Sequence, residues 1–183
     1  MFRLRSLLLA SALLASSALA TVVLSMSMEE MTARAPLVVH GIVNATQPGW
    51  DEPHAKIWTW TEVVVKDTLK GDTRSTVLVK QPGGVVGPLG QSVEGAATFT
   101  PGEEVVLFLE PANDEPGAWV PVAMSSSKVT LEDRFGVKVA RRDLAGLVFA
   151  QPGKKDVARP IDERETLGIA DAFLARIHAA VKK

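Results

Sequence analysis

Trp58 and Trp60 stand two residues apart in Ile57-Trp58-Thr59-Trp60-Thr61, a spacing that puts both indoles on one face of a β-strand. Side by side they can stack on a sugar, a base or a partner's apolar side chain. Glu62 and Lys66 follow on the same face and add hydrogen-bonding groups. The alternative is that an amphipathic helix covers the pair, because exposed indoles are costly and a helix needs an apolar surface to rest on. That covered arrangement is the expectation. Trp50 falls in a segment, 44–56, that contains Pro48, Gly49 and Pro53 and reads as a surface loop. Trp50, Trp58 and Trp60 are therefore the candidate binding residues.

Other groupings carry less chemistry. Asp51, Glu52 and His54 lie close enough in sequence to suggest a hydrolase or metal site, but their spacing matches no established ligand pattern. His40 and His178 are scattered, and the chain has no cysteine, so no nucleophile stands beside a base. Gly84-x-x-Gly87-x-x-Gly90 has a phosphate-cradle look, yet such loops open into a helix, and Pro82, Pro88 and β-like residues surround this one. A turning connection is expected there. Ser125-Ser126-Ser127-Lys128 fits the Ser-x-x-Lys spacing of penicillin-recognising enzymes without their companion elements, and reads as a strand-to-strand connection. No catalytic residue, metal site or cofactor is expected, and the chain reads as a binding protein rather than an enzyme.

The 183 residues are 46% hydrophobic and 22% charged, enough for one domain with a real core. Arg3 and Arg5, the apolar run Leu7 to Leu14 and Ala18-Leu19-Ala20 predict an export signal over 1–20, with cleavage before Thr21. An uncleaved membrane anchor is the alternative, since no charge appears between Arg5 and Glu29. Removal of Arg3 and Arg5 takes the formal net charge from −1 to −3, which argues against nucleic acid as a partner, while the export signal predicts a secreted, periplasmic or extracellular location.

The elements that must position these residues are mostly strands. Strands are predicted over 21–25, 37–43, 57–69, 76–80, 93–99, 104–110, 119–124, 128–131 and 137–141, with an edge at 147–149. Glu104-Val105-Val106-Leu107-Phe108-Leu109-Glu110 is the best of them, apolar on both faces and preceded by a type II turn at Thr100-Pro101-Gly102-Glu103. In 57–69, Ile57, Thr59, Thr61, Val63, Val65 and Leu69 form the core-facing set. Gly41 within its strand predicts a bulge or tight bend. Ser27 and Glu30 form a capping box for a short helix at 28–35, stopped by Pro36. After a β domain over 21–150 and a linker over 151–161, the apolar stripe Leu167, Ala170, Phe173, Leu174, Ile177 and Val181 predicts an amphipathic helix over 162–183, starting at Asp162 or Thr166 and packed on the sheet. The fold class is mainly β: an OB-like antiparallel barrel of five or six strands with a short N-terminal helix and a C-terminal amphipathic helix.

Leu37 to Val43, Thr61 to Gly71 and Phe99 to Leu109, in that order, resemble uncharacterised secreted bacterial proteins. More distantly they resemble the netrin-like OB barrel of tissue metalloproteinase inhibitors. The resemblance covers 37–125 and implies the barrel. The inhibitors' chemistry uses an N-terminal cysteine that chelates the protease zinc; here the expected new N-terminus is Thr21. The reading is a secreted, non-catalytic binding or interaction module for a protein or carbohydrate ligand. Mobile loops at 44–56, 81–92 and 111–118 would carry its specificity. A protease inhibitor acting through one of those loops and a hydrolase using Asp51, Glu52 and His54 are the alternatives.

Overall fold

Val105 to Leu109 are all buried, so one strand serves two cores at once. The computed structural model describes residues 21–150, 157–158 and 163–182. Its elements are β1 (Thr21–Leu24), α1 (Met28–Arg34), β2 (Leu37–Trp50), β3 (Ile57–Lys70), β4 (Thr76–Pro82), β5 (Gly84–Val86), β6 (Leu89–Gln91) and β7 (Glu104–Pro111). There follow β8 (Ala118–Ser125), β9 (Lys128–Arg134), β10 (Val137–Asp143), β11 (Leu147–Ala150), β12 (Val157–Ala158), β13 (Arg164–Ile169) and α2 (Ala170–Val181). The described residues are mainly β, with a short helix, α1, after the first strand and a second, α2, after the last. The export signal expected at 1–20 lies outside the described residues.

β2 pairs with β3, β3 with β4, β4 with β8, β8 with β7 and β7 with β2, which closes a ring of five hydrogen-bonded strands. Every pairing in the ring is antiparallel except the parallel β4–β8 contact. β9, β10 and β13 extend the sheet outward from β7. A small separate sheet joins β1 in parallel to β11, which pairs with β12, so part of the expected linker is a strand.

Alternation along β7 explains its double burial. Val105, Leu107 and Leu109 join Leu37, Val39, Val43, Val63, Val77 and Val79 in one cluster, filled from four strands of the ring. Val106 and Phe108 face the other way and join Met28, Met31, Val129, Leu131, Phe173 and Ile177 under the helices. The Thr100 turn forms as expected, with Gly102 at φ +87° and the Glu103 amide donating to the Thr100 carbonyl at 3.0 Å.

Leu69 and Lys66 of β3 and Asn44 of β2 are left over where the register between the two strands shifts, which bends the long hairpin and switches faces. Leu69 is one of the skipped positions. It therefore leaves the set predicted with Ile57 and Val63 and packs under the helices with Met28 and Phe108. Gly41 sits at another shift, where a Cβ would come within 2.4 Å of the Val64 carbonyl oxygen, so the predicted bend needs glycine.

Several expectations need correction. Residues 44–50 are not loop, because β2 runs on to Trp50 and pairs with β3 throughout, leaving only 51–56 as the connection. The 81–92 segment is largely a hairpin of β5 and β6. Residues 93–99 form no strand; a turn at Glu94 and Gly95, with Gly95 at φ +76°, breaks them. The terminal helix starts at Ala170 rather than near Asp162 or Thr166, and 164–169 instead pair with β10. Gly168 at φ +115° has a conformation no helix contains, and the free edge of β10 supplies the hydrogen bonds. The N-terminal capping box forms as read: the Glu30 amide donates to Ser27 Oγ at 3.2 Å and the Ser27 amide to Glu30 Oε2 at 2.8 Å.

Candidate functional site

Trp58 and Trp60 occupy the outer face of β3, opposite the buried Ile57, Thr61 and Val63. Antiparallel pairing sets Lys80 of β4 directly across from Trp60 and Gly49 of β2 across from Trp58. Gly49 makes room for the neighbouring indole, since a Cβ there would lie 3.2 Å from the Trp60 ring. Lys80 Nζ stands 4.5 Å from the centre of the Trp58 ring and 5.7 Å from that of Trp60. Indole faces attract an ammonium at these distances, the more so when water is excluded. Lys80 is only 6% exposed.

The 112–117 connection between β7 and β8 supplies the counter-charges. Asp114 Oδ2 accepts from Lys80 Nζ at 2.8 Å, and Glu115 Oε2 lies 3.1 Å from it. Both oxygens of Glu115 also accept from Trp60 Nε1 at 3.0 Å. Burial would pull the Lys80 ammonium down, but its hydrogen bonds to Asp114 and Glu115 outweigh that and hold it above the usual lysine value. Lys80 likewise holds Asp114 below the ordinary carboxylate range. The loop is thus pinned by charge to a half-buried indole pair.

No protein-family model and no curated protein matches this chain. The coverage of the indoles differs from the expectation that a helix would hide them. α1 and α2 pack on the Met28–Phe108–Phe173 cluster, and Lys80 with the acidic loop lies against the tryptophans instead. Trp50 does not join them. It pairs with Ile57, so register directs it to the opposite face of the hairpin, and its ring stacks on His54 at 6.3 Å.

Asp51, Glu52 and His54 lie together in the turn between β2 and β3. Asp51 Oδ1 accepts from the amides of Ala55 at 2.7 Å and Lys56 at 3.0 Å, and the Lys56 amide above all lowers the pKa of that carboxyl. His54, at φ +54°, turns Nδ1 toward the Glu52 carbonyl at 3.1 Å. Ser125 and Lys128 are likewise apart in role: Ser126 and Ser127 close the turn between β8 and β9, and Lys128 pairs with Glu103 at 2.7 Å.

Sequence reasoning missed Lys80, Asp114 and Glu115, because their partnership depends on β4 returning beside β3 and on a loop of unpatterned sequence. It also missed Glu104, which His40 Nε2 meets at 2.8 Å, Lys66 at 3.0 Å and Lys138 at 2.6 Å. Burial alone would raise its pKa, but hydrogen bonds from Lys138, His40 and Lys66 outweigh burial and hold the carboxyl at about 2.

Proposed function

We propose that the chain is an exported, non-catalytic binding module on an OB-like barrel, and that it takes carbohydrate on the face carrying Trp58 and Trp60. The barrel reading is supported by the connectivity: three successive antiparallel strands, β2, β3 and β4, followed by β7 and β8, with the ring closed by the parallel β4–β8 contact. Numbered one to five in chain order, these strands run 1-2-3-5-4 around the ring, the order of an OB-fold. The netrin-like resemblance is kept at that level, as a barrel without the inhibitors' cysteine. In OB-folds the face of strands two and three, flanked by the loops after strands one and four, is where oligosaccharides and oligonucleotides bind. Trp58, Trp60 and Lys80 lie on β3 and β4, and Asp114 and Glu115 on the loop after β7.

The observation that carries the reading is a half-buried indole pair with a fixed carboxylate and a fixed ammonium against it. Stacking on an indole suits the apolar face of a sugar ring, and the charged groups suit its hydroxyls. Asp114 and Glu115 at the same place would repel phosphates, which favours neutral glycans over nucleic acid. The test is a titration of neutral oligosaccharides followed by tryptophan fluorescence. Saturable binding weakened at least tenfold in Trp58→Ala or Trp60→Ala, and kept in Trp50→Ala, is expected. Catalytic turnover of a substrate, lost in folded His54→Ala, would replace this reading with the hydrolase.

A further inference from the structure

We propose a second ligand site, for a small molecule bearing a carboxylate or phosphate, in a cavity of about 330 Å³ lined by β9, β10, the start of β13 and the 96–98 segment. It shares no lining residue with the Trp58–Trp60 face. Arg141 is its centre. That side chain is about four-fifths buried, at 21% exposure, yet it makes no hydrogen bond among the described residues. Its Nε is buried without a partner, and its nearest carboxylate oxygen, on Glu132, is 3.6 Å from Nη1. Glu132 is already engaged by Arg134 Nε at 3.2 Å and Nη2 at 3.0 Å. A guanidinium has five donors; the buried Nε–H is unmet at a cost in free energy, and the Nη groups, which make no hydrogen bond among the described residues, are left to hold an oxyanion.

The surroundings point the same way. Arg142 and Arg164 line the same cavity, and Arg142 donates to Glu165 through Nε alone. The nearby acids have partners of their own. Glu103 accepts from Lys128 and from Thr130 Oγ1, each at 2.8 Å, and Asp143 accepts from the Ala145 amide at 2.9 Å. Ser125, 7% exposed on the same wall, has a hydroxyl with no protein partner. Arg141 and Arg142 thus keep uncommitted donors while Glu103, Glu132 and Asp143 each already accept from a partner, an arrangement that favours a planar or tetrahedral oxyanion held by paired guanidinium hydrogen bonds. The volume suits a metabolite-sized ligand rather than a polymer.

Calorimetric titration of the intact protein at low ionic strength, with inorganic phosphate and separately with succinate, tests the site and tells the two oxyanions apart. Saturable binding of at least one is expected, weakened tenfold or more by Arg141→Gln and unaffected by Arg34→Gln, which lies on α1 beside Glu110. Should Arg141→Gln fail to fold, Ala145→Glu tests the same point, because Ala145 is exposed on the rim and a carboxylate there repels the ligand. The site is refuted if neither anion binds the wild type at up to about ten millimolar, an affinity worth about 2.7 kcal/mol. It is equally refuted if binding survives unchanged in folded Arg141→Gln or in Ala145→Glu.

Discussion

Lys80 Nζ lies 4.5 Å from the centre of the Trp58 ring while its own hydrogen bond reaches Asp114 on a loop 34 residues away. The lysine therefore joins the indole face to the acidic loop. Lys80→Met is expected to keep the aliphatic stem and remove the charge, freeing the 112–117 segment. Asp114 is largely exposed, so the loss of global stability should be modest, about 1–2 kcal/mol. Hydrogen exchange should show faster opening at 112–117; unchanged protection there would mean that the backbone bond from the Ala112 amide to the Ala118 carbonyl, at 2.9 Å, suffices to hold the loop.

Glu104 gives the fold an acid-sensitive joint. Its carboxyl titrates at about 2 in the folded chain against 4.5 when unperturbed. A depressed folded value means stability that is complete above the unfolded pKa and is lost as pH falls from about 4.5 through about 2. With solvent screening the contribution is roughly 1–2 kcal/mol. Melting temperature measured between pH 6 and pH 2 should fall less steeply in Glu104→Gln, although that variant starts from a lower value. Parallel curves for the two proteins would count against this role.

Phe173 and Ile177 close the helix-covered core at 2% and 0% exposure. Phe173→Ala should cost about 3–5 kcal/mol in urea denaturation. An unchanged midpoint would make α2 a loosely attached tail, contrary to its packing and to the paired contacts from Arg176 to Glu29 of α1 at 2.6 and 2.8 Å.

Where sequence and structure agree, the deciding forces are local. The Ser27–Glu30 box, the Gly102 turn and the alternation that sets Ile57 and Val63 against Trp58 and Trp60 need only neighbouring residues to be read. Where they part, a distant partner decides. The 44–50 segment looks like a loop because of Pro48 and Gly49, but β3 offers it a complete hydrogen-bonded edge. Thr166 and Leu167 fit a helical stripe, yet β10 claims them as a strand and Gly168 prevents the helix from extending back. Leu69 changes faces through register shifts that no periodicity reveals. The indole pair was legible as a candidate site, whereas Lys80 and Glu115 were not, since their meeting requires the ring to close.

Export is expected to leave Thr21 as the first residue. Intact mass of the protein recovered from the medium or periplasm checks this directly. A species that keeps Arg3 and Arg5 in the membrane fraction would make the apolar segment an anchor.

On the proposed reading, ligand binds at Trp58 and Trp60 and not at the chain's other indoles. The four tryptophans give four indole Nε1–H resonances, assignable by single Trp→Phe variants. On titration with a neutral oligosaccharide that the protein binds, those of Trp58 and Trp60 should shift together and saturate, with Trp60 moving most because its Nε1 donates to Glu115. Those of Trp50 and Trp119 should stay in place. Saturating shifts confined to Trp50 or Trp119, or no shift at any indole across a broad glycan set, would contradict the account.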